Sequence, residues 1–129
     1  MNGSPIRRIL VVDDSEDSAD AMAMLLGSMG HETQTAADGI AAVQLAETFR
    51  PHVILMDIGM PRMDGLEAAR AIRTYGWGRD VVIIALSGWG RTIDIEEAKE
   101  AGCDLHLTKP VRPNDLLRAL DTSRAADER

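Results

Sequence analysis

The sequence predicts an α/β fold: a parallel five-stranded sheet with helices on both faces, a three-layer sandwich. Two observations carry this. Three β-rich runs, Ile9-Leu10-Val11-Val12, Val53-Ile54-Leu55-Met56 and residues 81–86, are continuously apolar, as strands buried on both faces of a parallel sheet are. Between the β-rich runs lie stretches whose apolar residues recur with helical spacing. Alternation of the two five times over gives (βα)5. At 129 residues the chain suits one domain with a core that needs no disulfide or metal.

Each element has its own signal. The first strand is 9–12. Met22, Leu25, Leu26 and Met29 then follow i, i+3, i+4, i+7 spacing, and Gly30 ends that helix. The second run, 32–36, is mixed and suits an edge. Ala42, Leu45, Ala46 and Phe49 mark the second helix, stopped by Pro51. After the third strand, Leu66, Ala69 and Ile72 form a stripe that ends near Gly76. The fourth strand, 81–86, precedes Ile95 and Ala98 of a fourth helix, ended by Gly102. The fifth run, Leu105-His106-Leu107, is again mixed. Leu116, Leu117 and Leu120 mark the last helix, with Pro113 in its first turn. Residues 1–5 and 122–129 are expected to fray, leaving one folded unit over 6–121.

Composition excludes several classes. The net charge of −7 lacks the basic footprint of a nucleic-acid binder or of a protein held to anionic membrane. No apolar run reaches the length of a membrane span, and residues 1–5 carry no signal-peptide core. The single cysteine, Cys103, permits no internal disulfide and reads as a small buried hydrophobe in a reducing, cytoplasmic setting. His31, His52 and His106 lack metal-ligand spacing, and His31 and His52 read as structural. Trp77 and Trp89 follow glycine-rich turns and are expected at the surface.

In sheets of this kind ligands bind at the carboxyl ends of the strands. There the sequence places Asp13 and Asp14, Asp57, Ser87, and Lys109-Pro110. Singly, each has an ordinary explanation: a helix cap, a turn residue, a surface cation. Together they do not, because crowded carboxylates repel unless a cation sits among them. An all-oxygen set of this kind suits Mg²⁺.

Val11-Val12-Asp13-Asp14, Leu55-Met56-Asp57-Ile58-Gly59-Met60-Pro61-Arg62-Met63-Asp64-Gly65, Ala85-Leu86-Ser87-Gly88 and Leu107-Thr108-Lys109-Pro110 resemble the signature set of response-regulator receiver domains. The resemblance spans about residues 8–120. The stretches Gly88-Trp89-Gly90 and Leu105 through Val111 are similar to receivers of hybrid histidine kinases. The resemblance implies the flavodoxin-like, doubly wound strand order 2-1-3-4-5. It also implies a phosphoacceptor in a two-component phosphorelay, not a conventional enzyme. Asp57 would be the nucleophile. Asp13, Asp14, Asp57 and the Gly59 carbonyl would hold Mg²⁺. Ser87 would bond the phosphoryl oxygen, Lys109 would pair with the phosphoryl group, and Lys109-Pro110 would be cis. Pro61 and Gly65 would shape the loop after Asp57. The donor would be a histidine kinase or histidine phosphotransfer protein, docked on the first helix where Met24 faces away from the core stripe.

The chemistry agrees with that implication. Phosphoryl transfer needs positioning and charge neutralisation more than acid–base work, and an ionised carboxylate is a competent nucleophile. The family pattern has Tyr or Phe where this chain has His106, so an unusual switch through Ser87 and His106 is expected. Three other readings fit less well. An FMN carrier would need a hydroxyl- and glycine-rich phosphate loop where this chain has Asp13-Asp14-Ser15-Glu16-Asp17. An aspartyl phosphohydrolase would need a second Asp where Gly59 stands. A degenerate receiver would lack one of the acidic or basic residues.

Overall fold

A computed structural model describes residues 7–58, 65–88 and 95–127. Five strands alternate with five helices: β1 Arg8–Val12, α1 Glu16–Ser28, β2 Glu32–Ala36, α2 Gly39–Phe49, β3 Val53–Asp57, α3 Gly65–Arg73, β4 Val82–Ser87, α4 Ile95–Ala101, β5 Leu105–Thr108 and α5 Pro113–Asp127. All strand pairs are parallel. The order is β2-β1-β3-β4-β5, as the resemblance implied, with the two mixed runs at the edges.

The continuous apolar character of β1, β3 and β4 has the expected cause. Alternate residues feed two separate cores. Leu10, Val12, Ile54, Met56 and Ile83 join Ala42, Ala46, Ala69 and Ile72 of α2 and α3. Ile9, Val11, Leu55 and Ile84 join Leu26 of α1 and Leu116 of α5. With few aromatics, the helices on the first side present mostly alanines and so approach the sheet closely. Gly65 takes this furthest. A side chain there would collide with the Asp57 carbonyl oxygen and come within 2.8 Å of the Ile58 Cα, so only glycine lets α3 start directly against the end of β3.

Several boundaries differ from expectation, each with a local cause. β4 starts at Val82, because the Val81 carbonyl accepts from the Arg73 guanidinium at 2.6 Å. β3 and β4 instead run one residue further, through Asp57 and Ser87. α3 stops at Arg73, and a single 3-10 turn, Gly76–Gly78, follows. Arg50, in the left-handed region at φ 51°, closes α2 before Pro51 is reached. Residues 122–127, expected to fray, continue α5 as helix. Arg124, Ala125 and Ala126 favour it and no Gly or Pro interrupts. Leu117 is 45% exposed, so it is not part of the buried stripe. Ala119 takes that place beside Leu116 and Leu120. Trp77 is half-buried against the core, not free at the surface. Its ring stacks on Tyr75 at 5.2 Å and lies under the Arg50 guanidinium at 5.3 Å. Trp89 lies outside the described residues.

Candidate functional site

The strand ends deliver the polar residues together. Three backbone bonds extend the ladder just past the strands: Asp13 N–H to the Ala36 carbonyl at 3.0 Å, Ile58 N–H to Leu86 at 3.0 Å, and Lys109 N–H to Ser87 at 2.8 Å. The carriers of Asp13, Asp57, Ser87 and Lys109 are thus pinned by the sheet itself. Asp57 and Ser87 are the last residues of their strands, so they are held more firmly than loop residues would be.

Asp13, Asp57 and Ser87 are buried polar groups, an expensive choice unless they are paired or occupied. The Lys109 ammonium bridges two of them, reaching Asp13 Oδ2 at 2.6 Å and Asp57 Oδ2 at 3.1 Å. Burial alone would lower the pKa of Lys109. The hydrogen bonds and charges of Asp13 and Asp57 outweigh it and hold the ammonium above its ordinary value. Asp13 Oδ1 accepts from the Ser15 N–H at 2.9 Å, while Ser15 caps α1 by accepting from Ser18 N–H. The helix-cap explanation therefore falls to Ser15, and Asp13 is left facing the site. Asp14 is exposed on the same rim. Carboxylate oxygens of Asp13, Asp14 and Asp57 lie within 4.8 Å of one another.

Three carboxylates against one ammonium leave an excess of negative charge in a small, partly dry space. A compact divalent cation would relieve it. The donors are all carboxylate oxygens, which suits Mg²⁺ and disfavours metals that seek nitrogen or sulfur. Lys109-Pro110 is cis. Gly59 and Pro61 lie outside the described residues. Gly65 does bear on the site, through its contact with the Asp57 backbone.

Two features escaped the sequence reading. The first is a groove of about 450 Å³ between α1 and the segment after β5. Ala21, Met22 and Leu25 form one wall and Pro110 and Val111 the other, with Asp13 and Lys109 at one end. Met22 and Leu25 were read only as core; they are half-buried and face this groove as well. Met24, expected away from the core, is 76% exposed. The second is a contact between Ser87 Oγ and His106 Nε2 at 2.9 Å.

The remaining candidates are structural. His31 Nδ1 accepts from the Arg7 N–H at 3.2 Å and His52 Nδ1 from the Arg8 N–H at 2.9 Å, at the opposite end of the sheet. Burial, and then the nearby Arg7, lower the pKa of His31. Burial, with a smaller push from Asp104, raises the thiol of Cys103 to about 11, which keeps it protonated and unreactive. Among the described residues no helix is long and apolar enough to cross a membrane.

Comparison with known proteins places this arrangement. Residues 9–121 match the family model described as the response regulator receiver domain. An uncharacterized 14.6 kDa protein of Leptolyngbya boryana is 36% identical over 85% of this chain and 84% of its own. The receiver domain of the sensor histidine kinase PA1611 from Pseudomonas aeruginosa is similar with a TM-score of 0.82 and 37% identity, covering 92% of this chain and 97% of that one. That structure has a magnesium ion coordinated in its active-site cleft. The chemotaxis protein CheY4 of Vibrio cholerae superposes with a TM-score of 0.85 at 32% identity, covering 92% of this chain and 99% of that one. The chain spans about half the length of the curated DNA-binding and transcriptional regulators it also matches.

Proposed function

The chain belongs to the response regulator receiver domain family of two-component signalling, and from that premise we propose that Asp57 accepts a phosphoryl group from a partner phosphohistidine in a Mg²⁺-dependent step. The observation that carries this is the Lys109 ammonium bound to both Asp13 and Asp57, with Asp14 completing the carboxylate set.

The chain's residues divide the work. An Asp57 carboxylate oxygen attacks phosphorus, the bond from phosphorus to the donor imidazole breaks, and a mixed anhydride forms on Asp57. Lys109 already bonds that carboxylate and neutralises charge that the incoming group brings. Ser87, at the end of the adjacent strand, donates its hydroxyl hydrogen to a phosphoryl oxygen. Asp13, Asp14 and Asp57, with the Gly59 carbonyl that the family resemblance adds, would hold Mg²⁺, and the ion would supply further neutralisation of charge on the transferring group. The mixed anhydride hydrolyses in water, so the signal resets by itself. These steps belong in the cytoplasm, in keeping with the family and with a lone, buried thiol.

The donor docks on α1. The apolar groove is lined in part by Asp13 and by Lys109, whose ammonium bonds the acceptor, and Met24 offers an adaptable apolar contact on the same helix. Resemblance to the PA1611 receiver supports a histidine kinase or a histidine phosphotransfer protein as the partner. Labelling by acetyl phosphate tests the chemistry: it should need Mg²⁺ and vanish with chelator, and equal labelling with chelator would overturn the Mg²⁺ step. Met24→Glu should lose transfer from the protein donor yet keep acetyl-phosphate labelling. Unchanged protein transfer would remove Met24 from the interface.

A further inference from the structure

We infer that His106 is a positioning residue for Ser87: its Nε2–H donates to Ser87 Oγ and so keeps the hydroxyl hydrogen available for the phosphoryl group. The inference rests on the proposed role of Ser87 and goes beyond it.

The geometry starts with the sheet. His106 on β5 lies opposite Ala85 on β4, and Ser87 lies opposite Thr108. Residues two apart on a strand share a face, so His106 and Ser87 are diagonal neighbours on one face. The small side chain of Ala85 leaves room for the imidazole to lean across β4. It reaches Ser87 Oγ at 2.9 Å. Ser87 is only 3% exposed, so water has little access to hold that hydroxyl in its place.

A serine hydroxyl has one hydrogen to give and two lone pairs to accept with. A neutral imidazole has one nitrogen that donates and one that accepts. The contact therefore has two possible polarities. If Ser87 donates to Nε2, its only hydrogen is spent and the phosphoryl oxygen finds no donor. If Nε2–H donates to Ser87, the hydroxyl stays a donor and is also oriented. Only the second polarity is compatible with a Ser87 that bonds the phosphoryl group. A Phe at this position could not hold the hydroxyl at all. Here the imidazole holds the hydroxyl at 2.9 Å.

Nitrogen-15 NMR of the imidazole in the unmodified protein tests the polarity directly. The expected result is a proton on Nε2; an Nε2 that carries none would overturn the inference. This measurement does not depend on phosphorylation, so it can fail while Asp57 remains the acceptor. Kinetics provide the second arm. Loss of one oriented hydrogen bond corresponds to about a three- to tenfold change in rate, so His106→Phe should slow acetyl-phosphate labelling by about that factor. His106→Gln, which keeps an N–H at similar reach, should recover most of it. In a Ser87→Ala background His106→Phe should have no further effect. Equal rates for Phe and Gln variants, or additive losses in the double variant, would reduce His106 to a packing residue.

Discussion

At the end of the sheet where the strands start, the Arg73 guanidinium donates to the carbonyls of Gly78, Val81 and Gly102 and to Asp104 Oδ2, at 2.6 to 3.1 Å. At the end where the strands finish, Lys109 is likewise half-buried and likewise tied to its neighbours, but those neighbours are the carboxylates of Asp13 and Asp57. Arg73, the last residue of α3, meets main-chain oxygens left over in the 3-10 turn, just before β4 and just after α4, so its charge closes the fold. Lys109 meets groups that gather more negative charge than it can balance. An ion at the first end completes hydrogen bonding; an ion at the second leaves a demand that a cation or a phosphoryl group can answer.

Substituting at each end should separate stability from activity. Arg73→Ala takes the guanidinium donor from several carbonyls and leaves Asp104 Oδ2 with only the Ile83 N–H, and should cost about 3 kcal/mol of stability while acetyl-phosphate labelling of the folded protein persists. Asp57→Asn should abolish labelling yet change stability by less than about 1 kcal/mol, since it removes one ion-pair partner and relieves carboxylate repulsion together. Urea unfolding alongside labelling reads both. A destabilised Asp57→Asn or a labelling-deficient Arg73→Ala at low denaturant would erase the contrast.

A smaller effect sharpens it at the strand-start end. His31 must stay unprotonated at Nδ1 to accept from Arg7, and its folded pKa is lowered. The unfolded chain then binds the proton more readily, so stability from this group is present above the unfolded value of about 6.5 and is lost as pH falls through the folded value. Stability should decline as pH falls below about 6.5, with a slope below about 1.4 kcal/mol per pH unit, and His31→Gln should flatten that part of the curve. Denaturant midpoints measured across the range decide it; an unchanged slope in the variant would free His31 from the role.

The same contrast marks what could be read before folding. Continuous apolar runs announced β1, β3 and β4, and the charged residues at the ends of β1, β3 and β5 announced Asp13, Asp57 and Lys109, because both signals are local in the chain. The network around Arg73 was invisible. Its acceptors are backbone carbonyls up to 29 residues away, and a carbonyl has no letter in a sequence. The groove on α1 was hidden for a related reason: Met22 and Leu25 have the spacing of core residues, and only the position of Pro110 and Val111 shows that their outer edges stay open. Ser87 and His106 were each singled out, but their contact depends on the β4–β5 register. Leu117 followed the helical pattern and still points outward, because α5 meets the sheet through Leu116, Ala119 and Leu120.

The central claim is that the carboxylate held by Lys109 at the end of β3 takes the phosphoryl group. Intact mass spectrometry after incubation with Mg²⁺ and acetyl phosphate tests it on the native chain and on Asp57→Asn side by side. The account predicts that the native chain gains the mass of one phosphoryl group, lost on standing, and that Asp57→Asn gains none. Equal gain by the variant would contradict it and move the acceptor elsewhere.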